Sequence, residues 1–139
     1  SSGLISSLMI TPGHVEEHQP VEELVKGMKG LLIGDKGFIS KDLKERLKLS
    51  DIDLETPLKK NMKDLRRPEL IMKIKSIRRL IETVIGQLND RFHLNDVWAR
   101  DFWHLLSRIG RKILAHTVGV YLNRRFGRPP ITFDGLLTL

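Results

Sequence analysis

The sequence contains no cysteine, which excludes disulfides and thiolate metal sites and is compatible with a reducing, cytosolic setting. It has no window approaching the roughly 20 apolar residues of a membrane span. No basic, then apolar, then small-residue pattern opens it, so no secretory signal is expected. Internal repeats and low-complexity tracts are also absent, which removes solenoids and disordered tails from consideration. Acidic residues are in deficit, 17 against 24 lysines and arginines.

What is present describes one domain's worth of chain. Of 139 residues, 40% are hydrophobic, enough for a folded core. The net charge of +7 and a pI near 9.9 favour an anionic partner, of which nucleic acid is the commonest. Charge alone does not separate that from a merely soluble basic protein. Clustering tips the balance: Lys59, Lys60, Lys63, Arg66 and Arg67 lie close together, and Arg124, Arg125 and Arg128 crowd the other end. The chain opens Ser1-Ser2-Gly3, without methionine, and runs at once into the apolar residues 4–10. A strand there would need neighbours, so the polypeptide is expected to begin inside a larger fold.

Local patterns predict an α/β order. Residues 4–10 read as a strand closed by Thr11-Pro12-Gly13, and residues 15–26 as a helix interrupted at Pro20. Residues 31–33 read as a short strand buried on both faces. Ser40 is a fitting N-cap for a helix that carries Leu43 and Leu47 and ends near Ser50. Ile52 and Leu54 alternate with Asp51, Asp53 and Glu55 as a further strand. Pro68 suits the first turn of a long helix with Leu70, Ile74, Ile77, Ile81, Val84, Ile85, Leu88 and Phe92 as its stripe. A second long helix carries Phe102, Leu105, Leu106, Ile109, Ile113, Thr117 and Val120. After Gly127 the last residues read as a tail. At least one of Trp98 and Trp103 is expected in the core, and His93, His104 and His116 at the surface or partly packed.

Two stretches point to chemistry. Leu31-Leu32-Ile33-Gly34-Asp35-Lys36-Gly37-Phe38 puts a carboxylate where an apolar run stops and a turn begins. Open α/β sheets bind ligands at such strand ends. Arg78-Arg79-Leu80-Ile81-Glu82-Thr83 puts a second carboxylate on a helix, directly after two arginines. Carboxylates on rigid elements can hold Mg²⁺, and neighbouring cations can hold a phosphate polyanion. Lys75, Arg78, Glu82, Gly86, Asn89 and His93 share one side of that helix, flanking its apolar stripe. The bland alternatives are a solvated Arg78/Glu82 pair, in the weaker order for helix support, and a Gly-Asp-Lys-Gly turn that does nothing. Asp35 and Glu82 are 47 positions apart, so only folding could join them in a common divalent-ion pocket.

The runs Gly34-Asp35-Lys36-Gly37-Phe38, Thr56-Pro57-Leu58-Lys59-Lys60-Asn61-Met62, and residues 78–83 with Gln87-Leu88 resemble bacterial insertion-sequence transposases of the DDE class. Thr11-Pro12-Gly13 with its following acids resembles the passage before that family's second aspartate. The resemblance implies an incomplete RNase H-like fold of the α/β class, a short central sheet with two long C-terminal helices packed on it. Residues 1–139 would be the C-terminal part of the catalytic domain, with the first catalytic strand and its aspartate upstream. Asp35 and Glu82 would then be the second and third catalytic and metal-binding carboxylates. Together with the first they would hold two Mg²⁺ or Mn²⁺ ions for DNA strand cleavage and strand transfer. Lys36, Lys59, Lys60, Lys75, Arg78 and Arg79 would bind DNA, Arg78 matching the arginine of a Tyr/Arg/Glu/Lys signature. Lys75 stands at that signature's tyrosine position and Asn89 at its lysine position. The implied partners are transposon ends and target DNA, with a homodimer in the complete protein and no membrane. The implied place is the bacterial cytoplasm, at the nucleoid. A chain lacking the first aspartate, whether a truncated copy or a fragment, is expected not to catalyse alone.

Three other readings compete. A non-catalytic basic DNA-binding module explains the charge but not the ordered motifs. An RNase H-like nuclease without strand transfer fits the same residues. His14-Val15-Glu16-Glu17-His18 matches an inverted zinc-protease motif, although Pro20 argues against the uninterrupted helix it needs.

Overall fold

Leu31, Leu32 and Ile33 form strand β1 (Gly30–Ile33), and the alternating Ile52-Asp53-Leu54-Glu55 forms β2 (Ile52–Glu55). They pair in parallel, Gly30 opposite Ile52 and Ile33 opposite Glu55. Gly30 N–H donates to the Asp51 carbonyl at 2.9 Å and Gly34 N–H to that of Glu55 at 3.0 Å, extending the ladder at both ends. The computed structural model describes residues 3–16, 18–58 and 61–135. The chain divides into two compact units, Ser7–Arg79, and Ser1–Ser6 with Leu80–Leu139.

In the first of these, parallel pairing requires a crossover, supplied by α2 (Lys41–Leu49). Ser40 caps it, its hydroxyl accepting from Leu43 N–H at 3.2 Å. Leu43 and Leu47 are fully buried against Ile52 and Leu54, and Val21 and Val25 complete the core. Each buried leucine contributes on the order of 2 kcal/mol. The helix expected over residues 15–26 shrinks to α1 (Val21–Leu24). Pro20 has no N–H to donate, and Gly27, at φ +80°, turns the chain away. β1 is not buried on both faces as expected: Leu31 is 40% exposed, since the described core lies on one side only. That core draws on α1, α2 and the strands among the described residues, not on the apolar stripe of a long helix.

The two long helices are as expected, α3 (Pro68–Asp90) beginning at its proline and α4 (Phe102–Arg125) capped by Asp101, which accepts from His104 N–H at 2.9 Å. α3 runs from one unit into the other. Its buried positions are Ile74, Val84 and Leu88, while Ile81 and Ile85 are exposed. On α4 the buried positions are His116, Val120 and Asn123, and Phe102 is exposed.

Among the described residues after α4, the segment 129–133 is not a loose tail; residues 136–139 lie outside the described residues. Asn123 Nδ2 donates to the carbonyls of Pro130 at 3.1 Å and Thr132 at 2.7 Å, and Gln87 Nε2 to that of Ile131 at 2.6 Å. These bonds hold residues 129–133 in place and bury Phe133, its ring edge-on to Phe92 with centroids 5.7 Å apart. His116, expected at or near the surface, is fully buried beside both rings. Residues 4–10 form no strand. Gly3 packs against Ile131, and Leu4 and Leu8 stay exposed, because an apolar run becomes a strand only where a ladder partner exists. Neither tryptophan is core; Trp98 and Trp103 are 83% and 73% exposed.

Candidate functional site

Asp35 follows the last residue of β1 by two positions, with extended backbone, and leads into a three-residue 3₁₀ turn, Lys36–Phe38. Phe38 N–H donates to the Asp35 carbonyl at 3.0 Å, folding the turn back. The Phe38 side chain lies over Gly34, where an added Cβ would meet its Cβ at 3.1 Å and its ring at 3.3 Å, so glycine permits the close turn. The strand end and this turn hold the aspartate by its backbone. Its side chain makes no capping bond and is 65% exposed.

From α3, Arg78 reaches the same point, with Nη2 3.3 Å from Asp35 Oδ1. This contact brings two of the sequence-predicted site residues together. Lys75 stands nearly one turn before Arg78, and Arg79 beside it, both exposed. Glu82 is exposed on α3 one turn beyond Arg78, within the other unit. Lys36 is exposed in the turn. Lys59 and Lys60 lie outside the described residues.

Sequence reasoning missed the ionic network at the end of β2. Glu55, opposite Ile33 in the ladder, accepts from Lys44 Nζ at 2.8 Å and from Arg66 Nη1 at 2.7 Å. Arg66 also donates to the Thr56 carbonyl at 2.9 Å and clasps Asp64 through Nε at 2.9 Å and Nη2 at 2.7 Å. Burial works against the Glu55 carboxylate, but the bonds from Lys44 and Arg66 outweigh it and hold its pKa below the usual carboxylate value. The same arginine pushes Asp64 down to about 2. Arg66, counted in the basic cluster, is therefore engaged internally, fastening the segment after β2 to the sheet. The only signal for this in the sequence was an aspartate two residues before an arginine, the spacing of a local side-chain clasp. Lys41, Lys44, Glu55 and Arg66 line a cleft of about 420 Å³ whose floor includes Phe38 and Leu54.

Hard oxygen donors such as Asp35 and Glu82 suit Mg²⁺ or Mn²⁺, which take one or two protein carboxylates with waters and substrate phosphate. No cluster of three or more Asp, Glu, His or Cys that could hold a metal occurs among the described residues. The donor kind fits a divalent ion, and a further carboxylate is needed to complete a two-ion set. The zinc-motif reading finds no support: His18 pairs with Glu16 at 3.1 Å, residues 14–16 and 18 are not helical, and Glu17 lies outside the described residues. No described helix is long and apolar enough to cross a membrane.

Comparison with known families returns a match between residues 1–101 and the model of the Transposase DDE domain. No curated protein and no solved structure matches the chain.

Proposed function

The chain belongs to the transposase DDE domain family, and we propose that it is part of an insertion-sequence transposase that cleaves DNA strands and joins them to a target. The observation that carries this reading is the convergence on the end of β1: an exposed Asp35 presented by strand and turn, met by the α3 arginine four residues ahead of Glu82. In this reading the α/β unit is a portion of an RNase H-like fold, and residues 1–139 are the C-terminal part of the catalytic domain. The protein would work on DNA in the bacterial cytoplasm, at the nucleoid.

Asp35 and Glu82 would hold the divalent ions, Mg²⁺ or Mn²⁺, together with an aspartate from an upstream strand. The bound ions would supply Lewis acidity at the scissile phosphate and lower the pKa of the attacking hydroxyl. The chain's own cations do the rest. Lys36, Lys75, Arg78 and Arg79, with Lys59 and Lys60, bind backbone phosphates and fix the strand in register, a role without base specificity. Arg78 is shared between Asp35 and DNA. Its pair with an exposed carboxylate contributes no more than about 1 kcal/mol, so an incoming phosphate displaces it readily.

The test is a protein extended upstream by an aspartate-bearing sheet strand, assayed on labelled duplex with Mg²⁺. Strand cleavage that disappears in Asp35→Asn and in Glu82→Gln is the expected result, with the unextended chain inactive. Cleavage that survives either substitution would refute the assignment. A pre-cut 3′-hydroxyl end joined to target DNA distinguishes transposition from nuclease action alone. The competing reading is a basic DNA-binding module, suggested by the net charge of +7. It predicts an extended protein that binds DNA without cleaving it.

A further inference from the structure

Trp98, Phe102 and Trp103 lie close together in the chain, and all three rings stand in solvent, 83%, 61% and 73% exposed. They include both of the chain's tryptophans. A lone exposed apolar side chain is ordinary, but large aromatics gathered at one helix start mark a binding surface. Trp98 precedes α4, and Phe102 and Trp103 open the helix directly after its cap, Asp101. Arg108, on the second turn, donates from Nη1 to the Trp98 carbonyl and so ties that stretch to the helix. Five residues of chain span at most about 18 Å, so the two indoles lie within reach of one short strand. All of these residues belong to a single unit.

Charge identifies the occupant. His104, Arg108 and Arg111 are exposed and lie within about 60° of one another around α4, forming a strip along it. Arg100 is exposed between Trp98 and the cap. α4 itself contains no acidic residue. The two acids nearest in sequence are engaged: Asp101 accepts from the His104 backbone N–H at 2.9 Å and pairs with its ring at 2.7 Å, and Asp96 lies 4.0 Å from His93 Nδ1. Aromatic faces set among arginines are what holds single-stranded nucleic acid, the bases stacking on the rings while the guanidinium groups meet the phosphates. Duplex DNA hides its base faces and offers these residues phosphate alone. An apolar protein surface would cover the rings but set the arginines against no anion.

We propose that Trp98 and Trp103, with Arg100, Arg108 and Arg111 around them, form a stacking platform for unpaired bases, the strand being DNA in a chain of this family. The platform lies in a different unit from Asp35 and needs no metal ion, so it stands or falls apart from the carboxylate chemistry proposed above.

The tryptophans are their own reporters, since no others occur in the chain. The test titrates the full chain, without metal, with oligothymidylate of about 12 nucleotides, within the span of one single-strand site. Indole fluorescence should be quenched by it, and hardly at all by an oligomer carrying the same phosphates without bases or by a duplex of equal length. Trp98→Ala and Trp103→Ala should each weaken oligothymidylate binding by roughly five- to 150-fold, the loss of one stacked base, and leave duplex affinity within about twofold. Circular dichroism should not change, because both side chains are exposed. Trp98→Phe and Trp103→Phe keep a ring, so each should recover most of the affinity and leave one indole to report. Equal binding of base-free and base-bearing oligomers, quenching by duplex as strong as by the single strand, or alanine variants that bind oligothymidylate like the native chain would overturn the proposal.

Discussion

Arg78 Nη2 stands 3.3 Å from Asp35 Oδ1, joining the third turn of α3 to the carboxyl end of a two-stranded parallel sheet. The aspartate is 65% exposed and the arginine 35%, so water screens the pair and it contributes only about 0.2–1 kcal/mol. Such a contact orients without locking. In the proposed site a divalent ion would compete with the guanidinium for one carboxylate, and so weak a pair would yield to the ion. Arg78→Gln should accordingly raise Mn²⁺ affinity of the chain by up to roughly fivefold, the equivalent of that ion-pair energy. It should lower DNA affinity in the same preparation. Electron paramagnetic titration of free Mn²⁺ reads the first effect and fluorescence anisotropy the second. Unchanged Mn²⁺ binding in Arg78→Gln alongside loss of binding in Asp35→Asn would show that the arginine does not contest the carboxylate.

Arg66 should matter for stability more than for DNA contact. Its side chain is 20% exposed and satisfies Glu55, Asp64 and the Thr56 carbonyl at once. Arg66→Met leaves the half-buried Glu55 with Lys44 alone, and removing one partner of such a group is destabilising by about 1–3 kcal/mol. Urea denaturation measures that loss. Carboxyl-carbon NMR supplies a second readout: Asp64, held at about 2, should return toward the ordinary aspartate value of 3.8. An Asp64 titration unmoved by the substitution would sink the assignment of the clasp.

Much of the unit around the sheet was legible in the sequence, because local rules decide it. Ser40 announces α2 through a hydroxyl that replaces a missing backbone partner, and Ile52/Leu54 alternate because β2 buries one face. Pro68 starts α3 where its absent N–H is not needed. What was not legible depends on partners distant in the chain. His116 and Asn123 lie on the buried side of α4, where Gln87 meets His116 Nε2 and the carbonyls of residues 130 and 132 accept from Asn123 Nδ2, and no periodicity of apolar residues reveals such bonds. Residues 4–10 carry strand-like composition without a ladder to join. At the site, the Asp35 turn was readable from Gly34 and Gly37, but the engagement of Arg66 with Glu55 was not, since cations in a basic cluster look alike until their acids are placed.

His116 gives the fold a pH dependence with a definite sign. Burial lowers its pKa below the ordinary 6.5, and its Nδ1 has no hydrogen-bond partner among the described residues, so the folded state favours the neutral ring. The unfolded chain binds the proton more readily, and stability therefore falls as pH drops below about 6.5, by at most about 1.4 kcal/mol per pH unit. Glu55 and Asp64, whose pKa values are depressed, add their own loss only at lower pH, below the ordinary carboxylate values of 4.5 and 3.8. Denaturation midpoints at pH 7 and pH 5 should differ in the native sequence and converge in His116→Gln. An equal slope in both proteins would mean the imidazole is not the group that titrates.

Gly119 provides the sharpest check on the packing of the C-terminal segment. On helix propensity alone, Gly119→Ala in mid-α4 should stabilise by about 1 kcal/mol. The structure predicts the opposite sign, because the added Cβ would lie 2.3 Å from Cε1 of Phe133. No pair of carbon atoms tolerates that approach, and the ring is confined between Phe92 and His116. Displacing it should outweigh the propensity gain and leave a net loss of about 1–3 kcal/mol, the range for overpacked cores. Phe133→Leu removes the obstructing ring and should lose stability by itself, yet in that background Gly119→Ala should become neutral or favourable. The double-mutant cycle isolates this coupling. A stabilising Gly119→Ala in the native sequence would mean that Phe133 does not lie over α4.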